Sequence, residues 1–134
     1  MDNIDHINRI VIKIGSALLV DQDSGNLRTE WLSTIAEDVA QLKSLGKQVI
    51  IVSSGSIALG KKILGLSMSK KLVENQAAAA IGQIELAATF REKFIEYDIP
   101  VAQILLTYSN TENRGQYLNA RGTINRLLKL GVIP

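Results

Sequence analysis

Two short apolar runs, RIVIKI over 9–14 and QVIIV over 48–52, constrain this chain more than any other feature. Both are rich in β-branched residues, and each ends in a Gly/Ser turn, Gly15-Ser16 in one case and Ser53-Ser54-Gly55-Ser56 in the other. A strand without polar alternation is buried on both faces, which is the pattern of a parallel sheet. Parallel strands need a crossover between them, and the intervening sequence supplies one. Leu32, Ile35, Ala36, Val39, Leu42 and Leu45 recur at the spacing of a one-faced helix, and Gly46 is its natural stop.

The alternation continues. A helix is predicted over 57–64, closed by Gly65, and an Ala-rich segment over 70–97 reads as one long helix or two joined near Gly82. Pro100 introduces a third strand over 101–105. Ser109, with Glu112 three residues on, has the form of a capping box for a helix running to Leu130. After Gly131, Val132-Ile133-Pro134 repeats the pattern of a Gly-stopped helix followed by apolar residues and reads as the start of a fourth strand, so the chain is expected to be part of a longer one. The order predicts an α/β fold, a parallel core sheet sandwiched by helices, with no domain boundary inside the chain.

Composition removes several classes of chemistry. There are 134 residues, 46% hydrophobic and 21% charged, which suits one globular domain or part of one. With no cysteine and a single histidine, His6, there is no material for disulfides, Cys/His zinc sites, thiol nucleophiles or a Ser-His-Asp triad with a spare base. Fifteen basic residues against thirteen acidic ones, scattered along the chain with 4% aromatics, give neither a basic stripe nor a stacking platform for nucleic acid. No apolar run approaches a membrane span and the opening residues are polar, so a cytoplasmic protein without membrane attachment is expected.

In an open α/β sheet, ligands bind beyond the carboxyl ends of the strands, where loops meet helix N-termini. The two Gly/Ser turns lie there. Glycine lets the backbone approach a bulky anion, and amides at a helix start carry partial positive charge. Lys13 stands out as a cation inside an apolar strand, two positions before Gly15. Either a ligand phosphate partners it, or it points from an edge strand into solvent. Ser56 and its neighbours also fit an ordinary helix cap.

Three other motifs are weighed and set aside. Gly55 to Lys61 has the spacing of a P-loop, but Lys62 stands where a Ser or Thr should bind magnesium, and Ile57, Ala58 and Leu59 read as helix. Asp21 and Asp23 lack the ligand order of a calcium loop. Glu37, Asp38, Glu92 and Glu96 fall at positions expected to face water, so paired-carboxylate catalysis finds no support, and no metal ligand is assigned. Asn113, Arg114, Asn119 and Arg121 make a polar surface, for binding or merely hydrated.

Taken in order, Val11-Ile12-Lys13-Ile14-Gly15-Ser16, the block from Val52 to Gly60, Gln76-Ala77-Ala78-Ala79-Ala80-Ile81-Gly82-Gln83, Gln103-Ile104-Leu105-Leu106-Thr107 and Tyr117-Leu118-Asn119-Ala120-Arg121 resemble the amino-acid kinase family, over nearly the whole chain and on the side of its glutamate-phosphorylating members. The resemblance implies transfer of the γ-phosphoryl group of ATP to L-glutamate with Mg²⁺, opening proline biosynthesis. By motif, Lys13 corresponds to the lysine on the transferring phosphoryl, Gly15 and Ser16 to its phosphate-side loop, and Ser54, Gly55 and Ser56 to the substrate loop.

The resemblance further implies a homo-oligomer, feedback inhibition by proline through 107–121, and an amino-acid-binding N-terminal part over 1–134 without the nucleotide-binding part. This sequence departs from the family at Ser56, where relatives commonly have Ala, and at Asn110, where some have Asp. The similarity stops before the family's Asn- and acid-containing segment that holds glutamate, and a fragment of this kind is expected to be inactive alone. Kinases acting on acetylglutamate, aspartate or uridylate, a non-catalytic amino-acid-binding fragment and a purely structural α/β module are the competing readings.

Overall fold

The computed structural model describes residues 6–67 and 71–134. The polar opening stretch 1–5 and the expected start of the long helix at residue 70 lie outside the described residues. Strand β1 (Arg9–Ile14) is followed by a four-residue helix α1 (Ser16–Leu19) and the 16-residue helix α2 (Thr29–Ser44). Strand β2 (Gln48–Ser53) lies parallel to β1, with Arg9 opposite Gln48 and Ile14 opposite Ser53. Helices α3 (Ser56–Ile63), α4 (Leu72–Ile95), α5 (Tyr108–Glu112) and α6 (Arg114–Lys129) complete the order. The expected α/β class, with a parallel core and flanking helices, is the one the chain adopts.

The alternation of β1 decides which side is core. Ile10, Ile12 and Ile14 turn inward while Arg9, Val11 and Lys13 are exposed. Inward residues of both strands meet α2, α3 and α4 in two adjoining clusters, one around Ile14, Leu19, Leu32, Leu59 and Leu86, the other around Ala36, Val39, Val49, Phe94 and Ile133. Phe94, Ala36, Val39 and Val49 are completely buried. On the opposite face of the sheet Val11 keeps 60% and Val52 48% of their surface.

Helix α4 is a single helix of 24 residues. Gly82 does not break it, because the position is the crossing point with α3. A Cβ on Gly82 would lie 1.8 Å from the Ser56 carbonyl oxygen, and one on Gly60 would lie 1.8 Å from that of Ala78. Each helix thus contributes a contact pair spaced by four residues, Ser56/Gly60 and Ala78/Gly82, and the backbones touch where side chains would keep them apart.

The C-terminal third corrects two expectations. The third strand is reduced to one bridge, Val101 to Ile133, because its neighbour in this chain extends only to Pro134. Ile133 donates to the Pro100 carbonyl (3.0 Å), Ala102 donates to that of Ile133 (2.9 Å), and Ile51 of β2 donates to that of Pro134 (3.1 Å). The segment 132–134 therefore enters between β2 and Val101, as a fourth strand should. The expected helix up to Leu130 is two helices, and the box opens at Thr107 in place of Ser109. The Thr107 amide donates to Asn110 Oδ1 (2.7 Å). Asn113 then leaves helical geometry (ψ 116°) and caps α6, its side chain accepting from the Gln116 amide at 3.1 Å. Asn prefers such a cap to a helix interior, since its side chain competes for backbone partners.

Between β1 and α2 the chain closes a small polar loop, pinned by an antiparallel bridge from Val20 to Leu27. Asp21 accepts from the Ser24 amide (2.8 Å) and hydroxyl (2.9 Å) and pairs with Arg28 at 3.3 Å. The Ser24 amide, then its hydroxyl, hold the Asp21 carboxyl below the ordinary carboxylate range, with Arg28 adding to them. A lowered folded-state pKa means that the loop's order is present above the unfolded value and is lost as pH falls through the folded one. The Ser24 amide resonance should accordingly titrate in the acid range, and the titration should vanish in Asp21→Asn; an Asn variant that still titrates would assign the effect to another group.

Among the described residues, no helix is long and apolar enough to cross a membrane.

Candidate active site at the strand ends

The parallel register of β1 and β2 brings the two Gly/Ser turns to one rim. Ile14 and Ser53 are partners, and just beyond them the Ser54 amide donates to the Ile14 carbonyl at 3.3 Å. Gly15 is extended (φ −75°, ψ 157°) and caps α1, its carbonyl accepting from Leu18 and Leu19. Gly55 caps α3 at φ +116°, a conformation that an L residue rarely adopts. A Cβ built on Gly55 would sit 3.5 Å from Cα and Cβ of Ser16, so the turns are in contact across the rim.

Of the six residues singled out from sequence, Gly15, Ser16, Ser54, Gly55 and Ser56 gather around this contact. Ser16 and Ser54 are exposed, Gly15, Gly55 and Ser56 half-buried. The first-turn amides of α3 have no intrahelical acceptor and open onto the rim, where they favour negative charge. Lys13 is opposite Val52, one residue short of the β1 end. Its side chain is exposed, on the sheet face away from α2, α3 and α4. The alternative of a cation buried within the strand is thereby corrected: β1 is the edge of the pair, and strand alternation sends Lys13 outward with Arg9 and Val11. The outward side chain is accessible to an incoming anion.

The P-loop spacing around Gly55 is spent on helix. Ser56 to Lys61 belong to α3, Lys61 is buried, and Lys62 Nζ donates to the Ser24 carbonyl and to Asn26 Oδ1, tying the polar loop to α3. His6 is exposed. Among the described residues, no three His, Asp or Glu side chains gather as a metal site.

What the sequence pattern missed is the brace behind the second turn. Gly82 of α4 rests on the Ser56 carbonyl and fixes the height of the α3 N-terminus above the sheet. The available signal was the pair of glycines, Gly60 and Gly82, in otherwise good helix-forming sequence.

Residues 8–134 match the amino acid kinase family. Among curated relatives, a glutamate 5-kinase from Agrobacterium fabrum is 59% identical over 95% of this chain and 33% of its own length. One from Rhodospirillum rubrum is 57% identical over 92% of this chain and 33% of its own. One from Bartonella henselae is 52% identical over the whole of this chain and 35% of its own. The chain thus spans about a third of the length of the relatives it matches. With the family match covering every element from β1 to the final bridge at Ile133, the chain belongs to the amino acid kinase family.

Proposed function

We propose that this chain forms the amino-acid-binding part of an enzyme that transfers the γ-phosphoryl group of ATP to the side-chain carboxylate of L-glutamate. The observation that carries this reading is the convergence of the two turns at one rim, on a chain whose relatives are glutamate 5-kinases. Those names disfavour the acetylglutamate, aspartate and uridylate alternatives. In the reaction a carboxylate oxygen of glutamate attacks the γ-phosphorus and the bond to the bridging oxygen of the β-phosphate breaks. The products are L-glutamyl 5-phosphate and ADP.

The physical difficulty is that both reactants are anions. Catalysis of such a transfer is mostly positioning and electrostatic stabilisation by donors fixed before the reaction. In this reading the backbone amides of Gly15, Ser16, Gly55 and Ser56 are the fixed donors. Ser54 offers a hydroxyl to the amino-acid substrate, and Lys13 brings a point charge to the transferring phosphoryl. ATP would carry Mg²⁺, which supplies charge neutralisation on the phosphates. The described residues of this chain include no acidic cluster to cage a metal, and none of them is assigned to it. The region 107–121 is proposed to carry proline control, to be tested by calorimetric titration of proline into a full-length protein and its Asn119→Ala variant.

In this reading further glutamate contacts and the nucleotide-binding part are supplied from outside these 134 residues. Incubated with ATP, Mg²⁺ and glutamate, and assayed for γ-glutamyl phosphate as its hydroxamate, the 134-residue chain should give no product above the enzyme-free blank. Sustained turnover would overturn the division of labour proposed here.

A further inference from the structure

Helix α3 meets the segment that leaves β1 at both of its ends. At the N-terminal end, a Cβ built on Gly55 would lie 3.5 Å from Ser16 Cα and 3.5 Å from Val20 Cγ2. At the C-terminal end, Lys62 Nζ donates to the Ser24 carbonyl and to Asn26 Oδ1. The Lys62 stem crosses Gly25, where an added Cβ would meet its Cδ at 2.8 Å. Between these two points the loop is stiffened by its own backbone. The Val20 amide donates to the Ser16 carbonyl (2.8 Å), the Asp21 amide to that of Asn26 (2.8 Å), the Gly25 amide to that of Asp21 (2.7 Å) and the Arg28 amide to that of Leu19 (2.8 Å). A shift at the loop tip is therefore carried to Val20 and Ser16. Helix α3 gives a firm anchor for the tip, because its backbone is seated on α4 at Gly60 and Gly82. A lysine in its last turn is also favoured by the helix dipole.

We propose that Lys62 is a positioning residue for the first turn, holding the loop 21–26 along α3 so that Ser16 stays against Gly55. The first turn offers backbone amides and a serine hydroxyl, which act as fixed donors only when their place is set before the reactants arrive. Helix α1 is too short to set it alone, since four residues make a single turn with few bonds to resist fraying. Lys62 closes the frame from the far end of α3. Its ammonium is engaged by two oxygens of the loop tip, so it acts through the turn and makes no contact with the substrates. The kinetic consequence rests on the phosphoryl-transfer reading, whereas the structural consequence stands without it.

The test uses Lys62→Met, which keeps the stem over Gly25 and removes the ammonium. In the ¹⁵N-labelled 134-residue protein, the Val20 and Asp21 amides should exchange with solvent at least tenfold faster in the variant, while that of the buried Leu86 in α4 keeps its rate. Adding Asn26→Ala to Lys62→Met should change these rates by less than Asn26→Ala does alone, because the two groups act as a pair. Unchanged exchange at Val20 and Asp21, or equal acceleration at Leu86, would overturn the proposal, the second outcome making Lys62 a contributor to global stability only. The kinetic arm uses this chain joined to the remaining two thirds of the Agrobacterium fabrum relative. There Lys62→Met should lower kcat about tenfold and leave the KM for glutamate within about twofold, since the α3 N-terminus is untouched. A raised glutamate KM with unchanged kcat would mean that Lys62 acts on the second turn through α3, contrary to the proposal. A parent chimera without turnover would sink the phosphoryl-transfer reading, and the exchange rates would still decide the role of Lys62.

Discussion

Gly82→Ala should destabilise this protein by about 3 kcal/mol or more, lowering its melting temperature by roughly 10 °C or preventing folding altogether. The added methyl group would meet the Ser56 carbonyl oxygen at 1.8 Å and the Gly60 nitrogen at 2.7 Å, both backbone atoms of α3, so no side-chain rotation relieves the clash. The helices must separate, and separation unpacks Ala78, Leu59 and Leu86, all buried. The contrast is Gly122→Ala, in the exposed interior of α6, where an added Cβ has nothing within 4 Å. There the same change should stabilise by about 0.5–1 kcal/mol, because alanine loses less backbone entropy than glycine on entering a helix. Thermal denaturation followed by circular dichroism reads both. A Gly82→Ala protein that melts within a degree or two of the parent would mean that the α3–α4 crossing is looser than the structure has it.

That crossing also marks where sequence reading reached its limit. Strands β1 and β2 were legible because a run such as RIVIKI carries its own signal, and the helix stops at Gly46 and Gly65 followed from local conformational preference. The meeting of Gly15-Ser16 with Gly55 was legible too, since parallel strands place their C-terminal turns side by side. The purpose of Gly82 was not, because a glycine inside a helix has the same local preferences whether it breaks the helix or admits a neighbour. Only a contact 22 residues away in sequence, Gly60 to Gly82, distinguishes the two.

The helix break at Asn113 was hidden for a related reason. Ser109 and Glu112 satisfy the capping pattern, but Thr107 and Asn110 form the bonds, and a second cap follows at Asn113. Where several short polar side chains crowd one turn, the choice among them depends on how the preceding segment arrives. Here it arrives from a segment held by a single bridge at Val101.

The orientation of Lys13 depended on sheet order, which a parallel pattern leaves undetermined. Its outward position makes the second large effect a sharp test of the proposed function. In a chimera of this chain with the remaining two thirds of the Agrobacterium fabrum relative, Lys13→Ala should lower kcat by about 10²- to 10³-fold, as loss of a single transition-state donor does elsewhere. Stability should change by less than about 0.5 kcal/mol, because an exposed lysine has little packing to lose. The KM for glutamate should hardly move if the ammonium serves the phosphoryl group and leaves binding of the amino acid to the second turn. Lys13→Arg should recover only part of the rate, since a planar fork does not reproduce a compact point charge. An exposed charge in open water is screened and worth little, so an effect of this size requires the rest of the enzyme to close over the rim and exclude solvent. A Lys13→Ala chimera with unchanged kcat would remove Lys13 from the reaction and leave the amides of the two turns to neutralise both reactants alone.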